Sequence, residues 1–301
     1  MKKEQLGTLF ALITAIISGI AIPANKLFVV KIDPLVFTSI RSIIIGAIFL
    51  LISLTRNEFK KRKNKIDWKN LLAIAIIGGA FAFYLYFSGL KLTTSGRAAF
   101  LHKTLPLYVC VLAFIFLKEK IDKKLLLAIT LMFFGTVILY LGQIKPAEMW
   151  QNPSLGDLLV IIATFLWGIE NIIARKVMRE GESNFIVSFS RMFFGGLILF
   201  GLLIISNKLN QISSLTTDQI RNILISTTIL FGYVFFWYKS VKLINVSKAS
   251  TFLLISPVIS LIIGILAFNE PYNSLQLIGS ALILLGSYFA AKTKSELMYR
   301  T

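Results

Sequence analysis

A single histidine occurs in the chain, and a lysine follows it directly: His102-Lys103, inside the apolar stretch from Ser95 to Glu119. An imidazole exchanges protons near neutral pH, and an ammonium is a compact anion-binding charge. Pro106 comes four residues after His102. A proline inside a helix offers no N–H to the carbonyl four residues back, so the His102 carbonyl is expected to lose its helical partner. In hydrocarbon such a carbonyl costs several kcal/mol unless another helix, a water or a ligand takes it. His102 and Lys103 are therefore read as substrate-binding residues, with Lys103 recognising an anion. The alternative is a kinked helix whose Lys103 extends to the interface.

Glu170, in LWGIENIIARK, is the only acidic residue deep in an apolar segment. At helical rise it lies about 21 Å from Gly156. An acid at that depth is ion-paired or carries a proton; the expected partners are Arg191 and Lys103. Arg41 and Arg191 each stand about seven residues from the start of an apolar segment. With Glu170 they form the candidate coupling and ion-pair set, and their long side chains are expected to reach the interface in a structural role. Substrate contacts are also expected from Trp167, Tyr84, Tyr233 and Trp237, with Tyr86 in the same wall. Tyr hydroxyls and Trp N–H groups need partners in apolar surroundings. Pro23, Pro106 and Pro257 are read as kinks suited to a gate.

Enzyme chemistry is not supported. The HExxH motif is absent, no aspartate pair lies within a segment, and His102 is the only imidazole. One histidine and one cysteine make a zinc site untenable, and no cofactor is expected. Cys110 has no cysteine with which to form an intrachain disulfide. A channel would show rings of like charge or a filter motif, and neither is visible.

These residues must be positioned by helices that cross a bilayer. The 301 residues are 56% apolar and 15% charged, against about 25% charged in soluble domains. Ten apolar segments fall at roughly 6–30, 34–54, 70–90, 96–117, 124–142, 156–178, 184–206, 219–240, 247–268 and 274–291. Each is near the length of a spanning helix. Trp68 and Trp150 fall at segment ends, where indole suits the interface. The net charge of +18 lies between apolar runs and forms no aromatic-interleaved face, so no nucleic-acid partner is expected. With the N-terminus inside, the inner flanks hold 22 Lys and Arg and the outer flanks 6. Both termini, and the connection 55–69, are thus expected in the cytoplasm, with 143–155 outside.

The sequence repeats itself. Asp67 matches Asp218, Lys91 matches Lys242, Ala98 matches Ala249, Pro106 matches Pro257, Glu119 matches Glu270 and Gly135 matches Gly286, all at one constant offset. Gly7 aligns with Gly156, and Arg41 with Arg191, after small offset changes. Leu253 and Leu254 stand where the first copy has His102 and Lys103. Five segments per copy is an odd number, so the second copy enters the membrane from the opposite side. Such inverted repeats mark secondary transporters. The fold class expected is an all-α integral membrane protein of ten transmembrane helices in two inverted five-helix repeats, 5–142 and 155–291.

The chain resembles drug/metabolite transporters of the EamA type. The resemblance rests on the five-plus-five repeat, a Gly-rich first helix in each half, and an Arg early in the second and seventh helices. It also rests on the pattern Ser247, Lys248, Ala249, Pro257, Glu270, with Gly96, Arg97, Ala98, Pro106 and Glu119 in the first half. It implies a central cavity lined by helices one, three, four, six, eight and nine, and alternating access. It implies a secondary active exporter of a small metabolite in the cell membrane. His102-Lys103 departs from the small or apolar residues usual there. An amino acid or other carboxylate-bearing, anionic or zwitterionic substrate is expected, with proton coupling. The alternative is efflux of drugs or uncharged metabolites.

Overall fold

A computed structural model describes residues 3–29, 31–60, 65–142 and 154–295. The expectations for Trp150 and for the charges at 61–64, 143–153 and beyond 295 lie outside the described residues. Among the described residues, ten helices are long and apolar enough to cross a membrane. They are α1 (Lys3–Val29), α2 (Pro34–Thr55), α3 (Trp68–Leu92), α4 (Gly96–Leu117), α5 (Lys123–Leu141), α6 (Leu155–Arg179), α7 (Asn184–Ile205), α8 (Thr217–Leu243), α9 (Val246–Leu266) and α10 (Ser274–Lys292).

The helix starts follow their capping residues. Asp33 accepts from the Leu35 amide ahead of Pro34, and Asp122 from that of Leu125. Ser154 with Asp157, and Asn273 with Gln276, form capping boxes. Large apolar side chains such as Phe116 and Leu266 point outward at 68% and 78% exposure. A lipid-facing surface accounts for them.

Pro106 is not inside a helix, contrary to expectation. The helix stops at His102 and a second one runs Leu105–Leu117, so Pro106 sits in its first turn. There the missing N–H has no intrahelical partner to lose. Pro257 is placed likewise: α9 passes through a 3₁₀ turn at Leu253–Ile255 and restarts at Ser256. Pro23 does lie in a helix interior, in α1.

Packing relies on glycine. α5 meets α10, α1 meets α8, and α3 meets α6. A Cβ on Gly135 would lie 2.7 Å from the Gly279 carbonyl oxygen, and one on Gly286 would lie 2.9 Å from that of Ala128. Ala128 is the counterpart of Gly279, so equivalent positions make equivalent contacts. Gly156 abuts Leu92, and its counterpart Gly7 abuts Leu243, the counterpart of Leu92. The tightest crossing joins α3 to α7: a Cβ on Gly79 would stand 2.0 Å from the Arg191 carbonyl oxygen. Both helices widen into π turns there, at Ala75–Phe81 and Ser190–Phe194. Gly79→Ala is expected to lower stability by about 1–3 kcal/mol, the usual cost of overpacking. Gly201→Ala, where a Cβ meets nothing within 4 Å, should leave the melting temperature in detergent unchanged.

Candidate functional site

Polar and aromatic side chains from several of the spanning helices line a cavity in the bundle. Ser18, Ala21 and Asn25 of α1 line it, with Arg41 of α2 and Phe83, Tyr86 and Phe87 of α3. His102 and Leu105 come from α4, Trp167 and Asn171 from α6, Arg191 from α7, and Ile229, Leu230, Tyr233 and Trp237 from α8. Its volume is about 80 Å³, room for roughly half a dozen waters at about 10–15 Å³ each in this measure.

One wall is aromatic and fixed. The rings of Tyr86, His102 and Trp167 touch pairwise at 5.1–5.3 Å between centroids. The Trp167 indole donates to the Gly78 carbonyl at 3.0 Å, and the Trp237 indole to Asn171 Oδ1 at 2.8 Å. Tyr233 stacks on Trp237 at 6.3 Å. Trp167, Tyr233, Trp237 and His102 thus lie together, as the sequence suggested. Tyr84 does not join them. On a helix, Phe83, Tyr86 and Phe87 share a face at spacings of three and four, and Tyr84 falls off it. Ser18 and Asn25, two turns apart on α1, were missed. Their signal was polar residues seven apart in an apolar segment.

Three cations meet three different fates. Arg191 faces Glu170, with Nη2 3.8 Å from Oε2, and Tyr238 donates its hydroxyl hydrogen to Oε1. Glu170 is wholly buried. A Cβ on Gly78 would fall 2.2 Å from its Cγ, so glycine there makes room for the acid. Of the two partners expected for Glu170, Arg191 is the one it has. Lys103 is 3% exposed and does not reach the interface; its Nζ donates to Ser18 Oγ at 3.2 Å. It stands behind the wall that Ser18 helps to form. His102 presents its ring to the cavity, and its Nδ1 has no hydrogen-bond partner among the described residues.

Arg41 is the third. It was expected near the interface, yet it is 1% exposed and lines the cavity. Its guanidinium lies over the rings of Phe37 and Phe87, at 4.4 and 4.9 Å. Nε and Nη1 have no hydrogen-bond partner, and no carboxylate pairs with it among the described residues. Arg41 and Arg191 align in sequence, yet only Arg191 is neutralised.

The cavity also departs from the lining that the resemblance implied. α2 and α7 contribute their arginines, and no described residue of α9 takes part. Leu253 and Leu254, the counterparts of His102 and Lys103, are buried in the apolar core instead.

The EamA-like transporter family matches this sequence twice, over residues 5–141 and 154–291. The chain belongs to that family. An uncharacterized transporter of Bacillus subtilis, YyaM, is 28% identical over 80% of this chain and 79% of its own. Another, from Archaeoglobus fulgidus, is 27% identical over 92% and 95%. A protein of known crystal structure shares the fold at a TM-score of 0.72 and 19% identity, covering 94% of this chain and 96% of the other. Membership in the EamA-like family makes the chain a multi-pass membrane transporter of a small molecule, and not an enzyme.

Removing one member of the Glu170–Arg191 pair leaves the other as an uncompensated buried charge. Glu170→Gln is expected to cost about 3–5 kcal/mol, and the double variant Glu170→Gln/Arg191→Met to recover most of it. Melting curves in detergent test both.

Proposed function

We propose that the chain is a secondary active transporter that exports a small carboxylate-bearing metabolite, amino acids among them, by alternating access. The carrying observation is the guanidinium of Arg41 in the central cavity, which no carboxylate neutralises among the described residues and whose Nε and Nη1 have no hydrogen-bond partner there. A buried charge without a partner is costly, so an anion arriving there removes a penalty that the empty protein bears. Its fork geometry suits a carboxylate held by two parallel hydrogen bonds. The seat assigned to the anion is therefore Arg41 rather than Lys103. His102, with its free Nδ1, supplies a second polar contact, and Trp167, Tyr86 and Tyr233 enclose the body of the substrate. Lys103 adds positive potential from behind Ser18.

The coupling ion assigned is the proton, with Glu170 as its carrier. Its depth and its loose 3.8 Å pairing with Arg191 support that role. Export follows the resemblance to the family. The asymmetry of basic residues favours both chain ends in the cytoplasm, and the cell membrane, like export, follows the resemblance to the family. The aromatic lining favours a second reading, an uncharged aromatic or apolar compound.

Arg41→Met should weaken a carboxylate substrate about 10- to 150-fold, as for a lost hydrogen bond to a charged group. It should also leave the melting temperature equal or higher, because a desolvated charge is gone. Counterflow in proteoliposomes, run against a panel of labelled acids and neutral compounds, measures this. Wild-type affinity in Arg41→Met rejects the anionic reading and leaves the uncharged one. Proton coupling has its own test. The Glu170→Gln/Arg191→Met protein should still exchange substrate across the bilayer but fail to concentrate it on a proton gradient; accumulation at the wild-type level would remove Glu170 from the coupling.

A further inference from the structure

Glu119 follows α4 and its repeat counterpart Glu270 follows α9, and each is held by the same backbone turn. Lys118 is left-handed at φ 56° and the Glu119 amide donates to the Ala113 carbonyl at 3.2 Å. Asn269 is left-handed at φ 51° and the Glu270 amide donates to the Gly264 carbonyl at 3.1 Å. The side chains then part. Glu119 is buried on the first turn of α9, where its carboxylate accepts from the amides of Val246 and Ser247, both at 3.1 Å, and from Ser247 Oγ at 2.6 Å. Arg175 Nε of α6 stands 3.6 Å away. Glu270 folds back on its own helix: a Cβ on Gly264 would sit 2.3 Å from its Oε2. At the equivalent place the first repeat has Ala113, whose methyl denies Glu119 that position.

The partner that symmetry offers Glu270 is the first turn of α4. Gly96 matches Ser247 in the repeat, and no hydrogen bond joins it to Glu270. A vestibule of about 610 Å³ is lined by Gly96 and Ala99 on the α4 side and by Ile263, Gly264 and Glu270 on the α9 side. α4 and α9 run antiparallel, so they are clasped at one end and spread at the other. By sequence register, Lys26 of α1 holds the place that Arg175 holds in α6.

We propose that Glu119 and Glu270 are reciprocal latches, each closing one face of the transporter by capping the first turn of the opposite repeat's helix. The structure described here has the Glu119 latch shut and the Glu270 latch open. In the alternate state Glu119 releases α9, and Glu270 leaves Gly264 to take the amides of Ser95 and Gly96. A carboxylate gains charge-assisted bonds to a helix start in either position, so the exchange trades like for like. This rests on alternating access, but its test needs neither substrate nor coupling ion.

Cys110, the only cysteine, is buried against the Glu119 latch, with Sγ 3.9 Å from the Ser247 carbonyl oxygen. Its rate of modification by a membrane-permeant maleimide therefore reports the opening of that end. Glu119→Gln should raise the rate about tenfold or more, the equilibrium value of one charge-assisted hydrogen bond. Glu270→Gln, which breaks no contact with α4 in this state, should lower it below wild type. The double variant should return toward wild type. Gly264→Ala should raise the rate, and lose that effect when Glu270 is also Gln. If Glu119→Gln speeds labelling while Glu270→Gln changes nothing in either background, Glu119 is a static cap and the reciprocal latch is wrong. Should Glu119→Gln fail to fold, the Glu270→Gln and Gly264→Ala pair decides alone, since neither touches the closed end.

Discussion

A charge at the centre of a bilayer-spanning bundle has little water to solvate it, so it is costly unless another element meets it. Glu170 lies at that centre, and three helices are arranged around it. Gly78 gives α3 the room to pass over its side chain, Gly79 lets α3 close on the Arg191 carbonyl, and Tyr238 of α8 reaches its other oxygen. Trp167, one turn before Glu170 on α6, is oriented by the Gly78 carbonyl that the same crossing exposes. The aromatic wall of the cavity and the neutralised arginine thus share one origin, two adjacent glycines. A side chain at either place would separate α3 from its neighbours and open the polar centre.

Against that neutral pair, Arg41 stands out. Two arginines at matching repeat positions would be expected to do the same work, and here they do not. One is bound to the fold by its carboxylate. The other is held by aromatic faces, which support a cation but do not cancel its charge. A duplicated scaffold with one copy's charge left unmatched is a direct way to make a polar site inside a symmetric frame. The same asymmetry appears where Leu253 and Leu254 of the apolar core answer to His102 and Lys103.

Much of this could be read from the residues. The ten spans were legible because a bilayer demands a run of about twenty apolar residues and nothing softer. Trp167, Tyr233, Trp237 and Glu170 were legible because polar and aromatic groups at that depth need a reason. Other assignments failed on local geometry. A proline announces a break but not which side of it the helix resumes, so Pro106 was put in an interior when it begins a turn. His102 and Lys103 are adjacent in sequence, but neighbours on a helix point about 100° apart; one faces the cavity and the other α1. Arg41 was judged by its distance from a helix start, and that distance says nothing of which face it occupies. Gly78 and Gly79 gave the best unused signal, a glycine pair with no turn to explain it.

The π turns of α3 and α7 bear on how such a site changes over time. A π turn holds one more residue than the α-helix it interrupts. It thereby takes up the rotation of about 100° that an added residue would otherwise pass on to everything after it. Phe83, Tyr86 and Phe87 follow the wide turn of α3 and face the cavity in the phase that it preserves. Loss of a single codon from 75–81 would close the wide turn to α-helical spacing and leave the same row of side chains facing the same space, whereas the same loss from 82–92 would bring a different row to it. The π turns are thus places where this architecture can gain or lose a residue with the cavity wall unchanged, and a comparison of sequences made without gaps in these helices would misalign that wall.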